Sequence, residues 1–480
     1  MVGRTDLTRV ITPSRWTPTF TRPAVTTLAL VVATAVSTVA CGGSEPEPAA
    51  EPMSSATLYE GFRLITGDDT ALVDGAALLV DDGVIQAVGA QGSFDSPEGA
   101  ARVDLSGKTV MPALVSLHGH LGFQVGLTYE AENYTRETLI DHLDRYAYYG
   151  VGTIVSLGTD GGDLIYALRT EQEQDALGGA RVLTAGGGIA RPNAGPGATA
   201  MRSSAIGVDS EEEARAAVRT LAKRGVDVVK IWIDDRGGSV EKLSPELASA
   251  VIDEAHSANL QVIAHIFDAA DAADAVEAGV NGFAHLARDE VISDELAAAM
   301  AAGDVFVMPN LGISERGIHT DPPAWLDDPL LHDSIRPEVI ERAKGSFSSR
   351  SAEAAARAEQ SWGFMQATLA KLQDAGVRLV LGADSGVTDS FLGYTELREL
   401  ELMVNSGLTP AEAIMASTSV SADALGIDEA GLLTAGRSAD FVVLDADPLE
   451  DITNARRIDR VFLKGVEVDR EALRQRWGGE

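Results

Sequence analysis

Hydrophobic and polar positions follow two rhythms along the chain. Near the start, ALLVDDGVIQAVGA and ARVDLSGKTVMP set short apolar runs between turn-forming residues. Asp81-Asp82-Gly83 splits the first of these as a hairpin turn would. Similar runs return near the end, in SADFVVLDAD and RRIDRVFLKGVEVD. The two ends are therefore expected to pair into a small composite β-sandwich made from residues 57–110 and 430–470.

Between them the rhythm changes to apolar strand followed by amphipathic helix, repeated. Strand-like runs stand at 109–120, 152–158, 181–188 and 226–233, and again at 261–266, 281–287, 305–312 and 377–385. Helical stretches fill the gaps, and those from Ser210 and from Ser244 open on a residue suited to an N-cap. Eight apolar strands separated by helices predict an α/β fold, a (β/α)8 TIM-like barrel over residues 111–429. One connection, residues 313–376, is long enough to be a lid.

The first 40 residues do not belong to that fold. Arg4, Arg9, Arg15 and Arg22 precede an apolar run from Ala24 to Ala40, and Cys41, the only cysteine, follows it. A basic start, an apolar middle and small residues before the cut describe a secretory signal. The position of Cys41 resembles a bacterial lipoprotein signal, which implies lipidation at Cys41. Residues 41–56, rich in Gly, Ser, Glu, Pro and Ala, read as a flexible tether. The expected localisation is extracytoplasmic, with the membrane as a partner through the lipid anchor; an uncleaved membrane anchor is the alternative.

Composition changes this picture in two ways. A single cysteine excludes an intrachain disulfide, so stability falls to core packing and bound metal. A formal net charge of −34 argues against a nucleic-acid partner, whose phosphates would be repelled. A small-molecule substrate is expected, and a homo-oligomer is left open.

The candidate chemistry gathers at strand ends. His118 and His120 close strand 1 two residues apart, so both face the same side. Lys230 lies in strand 4, His265 in strand 5, His285 in strand 6, and Asp384 ends strand 8. The carboxyl ends of barrel strands are where such enzymes place their active sites. Four histidines and an aspartate at one rim suit a metal better than a structural role. Lys230 interrupts VDVVKIWI, where an unpaired ammonium would be costly. Burial favours its neutral amine, which can react with carbon dioxide to give a carbamate able to bridge two cations.

The runs MPALVSLHGH, VDVVKIWI, VIAHIF, GFAHLA, LGADSG and GLLTAGRSADFVVLDADPL together resemble the amidohydrolase superfamily. The likeness is to its imidazolonepropionase-like and prolidase-like branch, and it covers nearly all of residues 57–470. The resemblance implies that His118, His120 and Asp384 bind one metal and His265 and His285 a second, with carboxylated Lys230 between them. One departure stands out: many relatives carry Asp two residues before the first histidine, where this chain has Ser116.

The implied reaction is hydrolysis of an amide, dipeptide or cyclic amide C–N bond by metal-activated hydroxide, with Asp384 as general base. One or two divalent ions are expected, zinc first among them. Ester, lactone or phosphotriester cleavage on the same metals is an alternative, and a catalytically silent solute-binding lipoprotein is a reading of another class. Arg191, Arg236 and Tyr129 are candidates for holding a substrate carboxylate, although each also suits a surface role.

Overall fold

The computed structural model describes residues 55–68, 73–387 and 389–478. The signal, Cys41 and nearly all of the tether lie outside them. Eight short parallel strands carry the site: Leu114–Gly119, Val151–Ser156, Arg181–Thr184, Val229–Ile233, Val262–Ile266, Gly282–Ala284, Phe306–Met308 and Arg378–Leu379. They are called barrel strands 1 to 8 below. Strands 1 to 3 form one parallel ladder and strands 4 to 8 another. Backbone hydrogen bonds carry the ring across both gaps. Asp227 donates to Thr184 O at 2.9 Å between strands 3 and 4, and Leu117 donates to Leu381 O at 2.8 Å between strands 1 and 8.

Inside the ring, Val115, Leu117, Val155, Ile263, Phe306 and Met308 are fully buried and pack on one another. A barrel filled this way is a solid core, so the chemistry is confined to its rim. The helices outside obey local rules. Glu211–Arg224 and Pro245–Ser257 are capped by the Ser210 and Ser244 side chains, which accept from Glu213 N and Leu247 N. Gly225, in a left-handed conformation, ends the first of these.

A separate eight-stranded sheet draws on both ends of the chain. Thr109–Pro112 lies between Thr57–Leu64, its parallel neighbour, and Phe441–Leu444, its antiparallel one. Tyr59, Phe441 and Phe462 form an aromatic cluster on it, with the two phenylalanine rings stacked at 4.5 Å. The single strand read across 109–120 is in fact two. The chain leaves this sheet at Pro112, and Ala113 bonds to Asp440 O before Leu114 bonds to Gly150 O in the barrel. Continuous apolar composition hides that change of partner.

The long connection after strand 7 is mostly helix: Leu311–Glu315, Pro329–His332, Pro337–Ser348 and Ala352–Asp374. Its Leu326, Leu331, Ile340 and Phe347 are buried in the main core, so it is packed structure.

Candidate metal centre

The rim brings the six residues singled out by the sequence into one neighbourhood. Asp384 Oδ1 lies 2.9 Å from His120 Nε2 and 3.4 Å from His118 Nε2, and its Oδ2 lies 3.9 Å from His285 Nε2. Donor atoms of His118, His285 and Asp384 all fall within 4.8 Å of one another, a spacing one cation can span. The His265 ring sits 4.5 Å from that of His285, with its Nε2 turned to Asp234 Oδ2 at 3.4 Å. Its Nδ1 is then the nitrogen available to a cation.

Lys230 is fully buried, and its Nζ has no hydrogen-bond partner. Burial pulls its pKa down to about 7, and the attraction of Asp384 only partly opposes this. Space for its stem is made by Gly158, a left-handed glycine whose added Cβ would stand 2.6 Å from Lys230 Cγ.

Several features show that this set fits a divalent cation. Burial pushes His118 and His285 well below the ordinary histidine range, so both are neutral and keep a lone pair to donate. Asp384 is the reverse case. Burial works to raise its pKa, and the histidines around it override that and hold it below the usual carboxylate range. An orphaned amine beside an ionised carboxylate and neutral imidazoles is a donor set that fits a bound cation.

Neighbouring groups fix the orientation of the first pair of ligands. Asn310 Oδ1 accepts from His285 N at 2.9 Å, so it must also be the acceptor facing His118 Nδ1 at 3.3 Å. Thr159 Oγ1 stands 3.1 Å from His120 Nδ1. With Nδ1 occupied in both rings, Nε2 points at the site. His285, Asn310 and Asp384 all adopt positive φ, at 80°, 50° and 53°. Backbone strain of this kind costs on the order of 1–3 kcal/mol per residue and gathers at functional sites.

Ser116, the departure from the family pattern, is buried and donates to Glu396 Oε1 at 3.3 Å. The same carboxyl takes Ser385 Oγ at 2.5 Å, and Glu399 accepts from Leu311 N and Gly312 N at 2.6 and 2.8 Å. These buried acids brace strands 1 and 8 and the turn after strand 7. Sequence reasoning misses both, because they lie in Tyr394–Asn405, a helix whose pattern gives no hint of what it covers.

The three substrate-binding candidates separate. Arg191 is held by Asp209 and Glu241, which occupies its charge in a surface network. Arg236 bonds to Asn193 O away from the ligands. Tyr129 is the one near the centre: its hydroxyl is buried without a partner, within electrostatic reach of Asp384. A cavity of about 470 Å³ lies elsewhere, between Glu137–Arg145, Ser334–Val339 and the loop after Asp384, and none of the six residues lines it.

A buried His–Asp–Lys cluster at the carboxyl rim of a (β/α)8 barrel defines a hydrolase that works through bound metal. The sequence profile of the amidohydrolase family matches residues 109–468, and the chain belongs to that family. It is a metal-dependent enzyme acting on C–N bonds. Over 437 residues the chain is 29% identical to the ochratoxinase of Aspergillus niger, covering 82% of each protein. It is 24% identical to a 5-methylthioadenosine/S-adenosylhomocysteine deaminase of Halalkalibacterium halodurans, covering 81% of this chain and 85% of that protein. Among solved structures, a putative prolidase from Bifidobacterium longum superposes with a TM-score of 0.71 at 26% identity, over 89% of this chain and all of that one.

Proposed function

We propose that the enzyme hydrolyses the amide bond of dipeptides or N-acyl amino acids, and that His118, His120, Lys230, His265, His285 and Asp384 form its metal site. The observation that carries this reading is the convergence of three imidazoles on one ionised carboxylate, beside a buried amine with no partner. The ochratoxinase and prolidase likenesses favour amide substrates over esters or lactones.

A divalent cation, zinc suiting the histidine-rich donors best, supplies a Lewis acid and hydroxide near neutral pH. The side chains do the rest. Asp384 is placed to take a proton from the attacking water and hand it to the leaving nitrogen. The neutral Lys230 amine adds to carbon dioxide, forming an N–C bond and releasing one proton, and the resulting carbamate brings a second negative charge beside Asp384. Asn310 and Thr159 hold the rings of His118 and His120 in the tautomer that leaves Nε2 free. Cys41, at the end of the signal-like segment, tethers the enzyme outside the cytoplasm, where it meets its substrate.

A substrate panel tests this. Xaa-Pro and Xaa-Arg dipeptides and N-acyl amino acids are to be compared with aryl esters and lactones, using zinc-loaded enzyme. Amide turnover abolished by Asp384→Asn, with metal content retained, is the expected result. Brisk ester or lactone turnover with no amide cleavage would overturn the assignment.

A further inference from the structure

Arg288 is out of place in a chain with 72 acidic and 38 basic residues. Most arginines of the described residues are engaged by a carboxylate or a backbone carbonyl. Arg288 is half-buried, yet none of its side-chain nitrogens enters a hydrogen bond or ion pair among the described residues. Its Nε is also closed off from solvent. Closing Nε off from water without an acceptor is costly, and the two terminal nitrogens keep an open side on which a ligand can complete the group.

Its position says where that ligand would lie. Arg288 follows His285 by three residues, and its N–H donates to Phe267 O at 2.9 Å, tying together the rims of strands 5 and 6. The guanidinium lies over the Phe267 ring, 5.4 Å from its centroid. Phe267 itself stays 39% exposed at the barrel mouth, two residues beyond His265. Asp384 and Asp234 are the acidic groups that act on Arg288, and neither comes close enough to pair with it. Asp234 is already engaged by His265 and by Arg236 N.

A second unmet donor, the buried Tyr129 hydroxyl, also lies within the field of Asp384, on the segment that follows strand 1. Two donors lacking acceptors, both close to a catalytic carboxylate, call for an anion with two oxygens. A planar guanidinium matches a carboxylate in this respect. The exposed face of Phe267 adds an apolar platform beside it.

We propose that Arg288, assisted by Tyr129, is the specificity-determining group that binds the free carboxylate of the substrate, with Phe267 against the apolar part next to it. The enzyme then selects anionic amides over their neutral counterparts. This rests on the amide-hydrolase reading for its substrate, but the binding step can be tested without turnover.

The test uses two probes with no scissile peptide bond, phenylacetate and phenylacetamide, titrated calorimetrically into zinc-loaded full chain. Wild type is expected to bind the acid about 10- to 100-fold more tightly than the amide. In Arg288→Met, with zinc content unchanged, that ratio collapses towards unity, and in Arg288→Lys it is partly kept. An acid preference that survives Arg288→Met would mean that the carboxylate sits on the metal, and it would overturn the proposal. So would the absence of any preference in wild type. Should Arg288→Met lose its metal or its cooperative melting, Tyr129→Phe decides in its place. A weakened ratio supports the assignment, and an intact one removes it. Failure of the enzyme to cleave any amide would sink the proposed activity while leaving this binding ratio as it stands.

Discussion

The two halves of the candidate metal centre are prepared to different degrees. Around His118, His120 and Asp384, the polar groups that orient the donors are already bonded: Asn310 and Thr159 face the imidazoles, and Asp384 sits against both rings. Around Lys230 and His285, the polypeptide leaves gaps, with Lys230 Nζ and His285 Nδ1 both buried and unpartnered. The first half is built by the fold alone. The second leaves buried polar atoms without partners, and that is where the chain bears its desolvation penalty.

Lys230→Met is the substitution that would break this contrast most sharply. On the proposed assignment, activity is expected to fall on the order of 100-fold or more, because the carbamate that would bridge the cations is gone. Metal analysis should show fewer cations per chain than in wild type. The metal-free variant should melt higher than metal-free wild type, since a buried amine with no partner costs about 1–3 kcal/mol. A lower melting point with the metal content unchanged would show that Lys230 is structural. A smaller effect is expected from the prepared half. Asn310→Ala should weaken metal binding about 10- to 100-fold, measured by competition with a chelator, because ligand-orienting partners contribute at that level. An unchanged affinity would mean that the His118 tautomer needs no help.

The smallest effect concerns the acids behind that half. Burial raises Glu396 from 4.5 to about 7 and Glu399 from 4.5 to about 8. Each is protonated in the folded chain at pH values where the unfolded chain has already ionised it. The folded state thus holds the extra protons. The stability this gives is fully present below the unfolded value and is lost as pH rises through 7 to 8. Melting temperature should fall as pH climbs towards 8, and Glu399→Gln should flatten the decline by a few degrees. A slope identical in the variant would show that Glu399 titrates normally.

Much of the architecture is legible in the sequence. Strand periodicity, the rim positions of the four histidines and Asp384, and the anomaly of Lys230 inside an apolar run are all local signals. What stays hidden depends on distant partners. Pro112 and Leu114 read as one strand, because continuous apolar composition carries no mark where one sheet gives way to another. Residues 313–376 read as a lid candidate running into a long polar helix, and the helices that fill most of that length are packed on the core. Arg288 sits in AHLARDE and looks like any surface arginine. Only folding reveals that Asp384 and Asp234, the acids that act on it, do not pair with it. Asn310 is open to suspicion, since asparagine tolerates a left-handed backbone, but the two groups its Oδ1 meets, the His118 ring and the His285 main-chain N–H, come from strands far apart in sequence.

The sheet that unites the two ends of the chain also bears on how the protein is made. Thr109–Pro112 leaves the ribosome early, yet its antiparallel neighbour, Phe441–Leu444, follows only after the whole barrel has been translated. Until then one edge of that strand has no partner, and Phe441 and Phe462 are missing from the cluster that covers its Val110. Pairing across so large a sequence separation is slow, and the waiting intermediate is the species most exposed to aggregation or to capture by a chaperone. Truncation anywhere before Phe441 would leave it in that state, so a segment made late decides whether the first strands ever close.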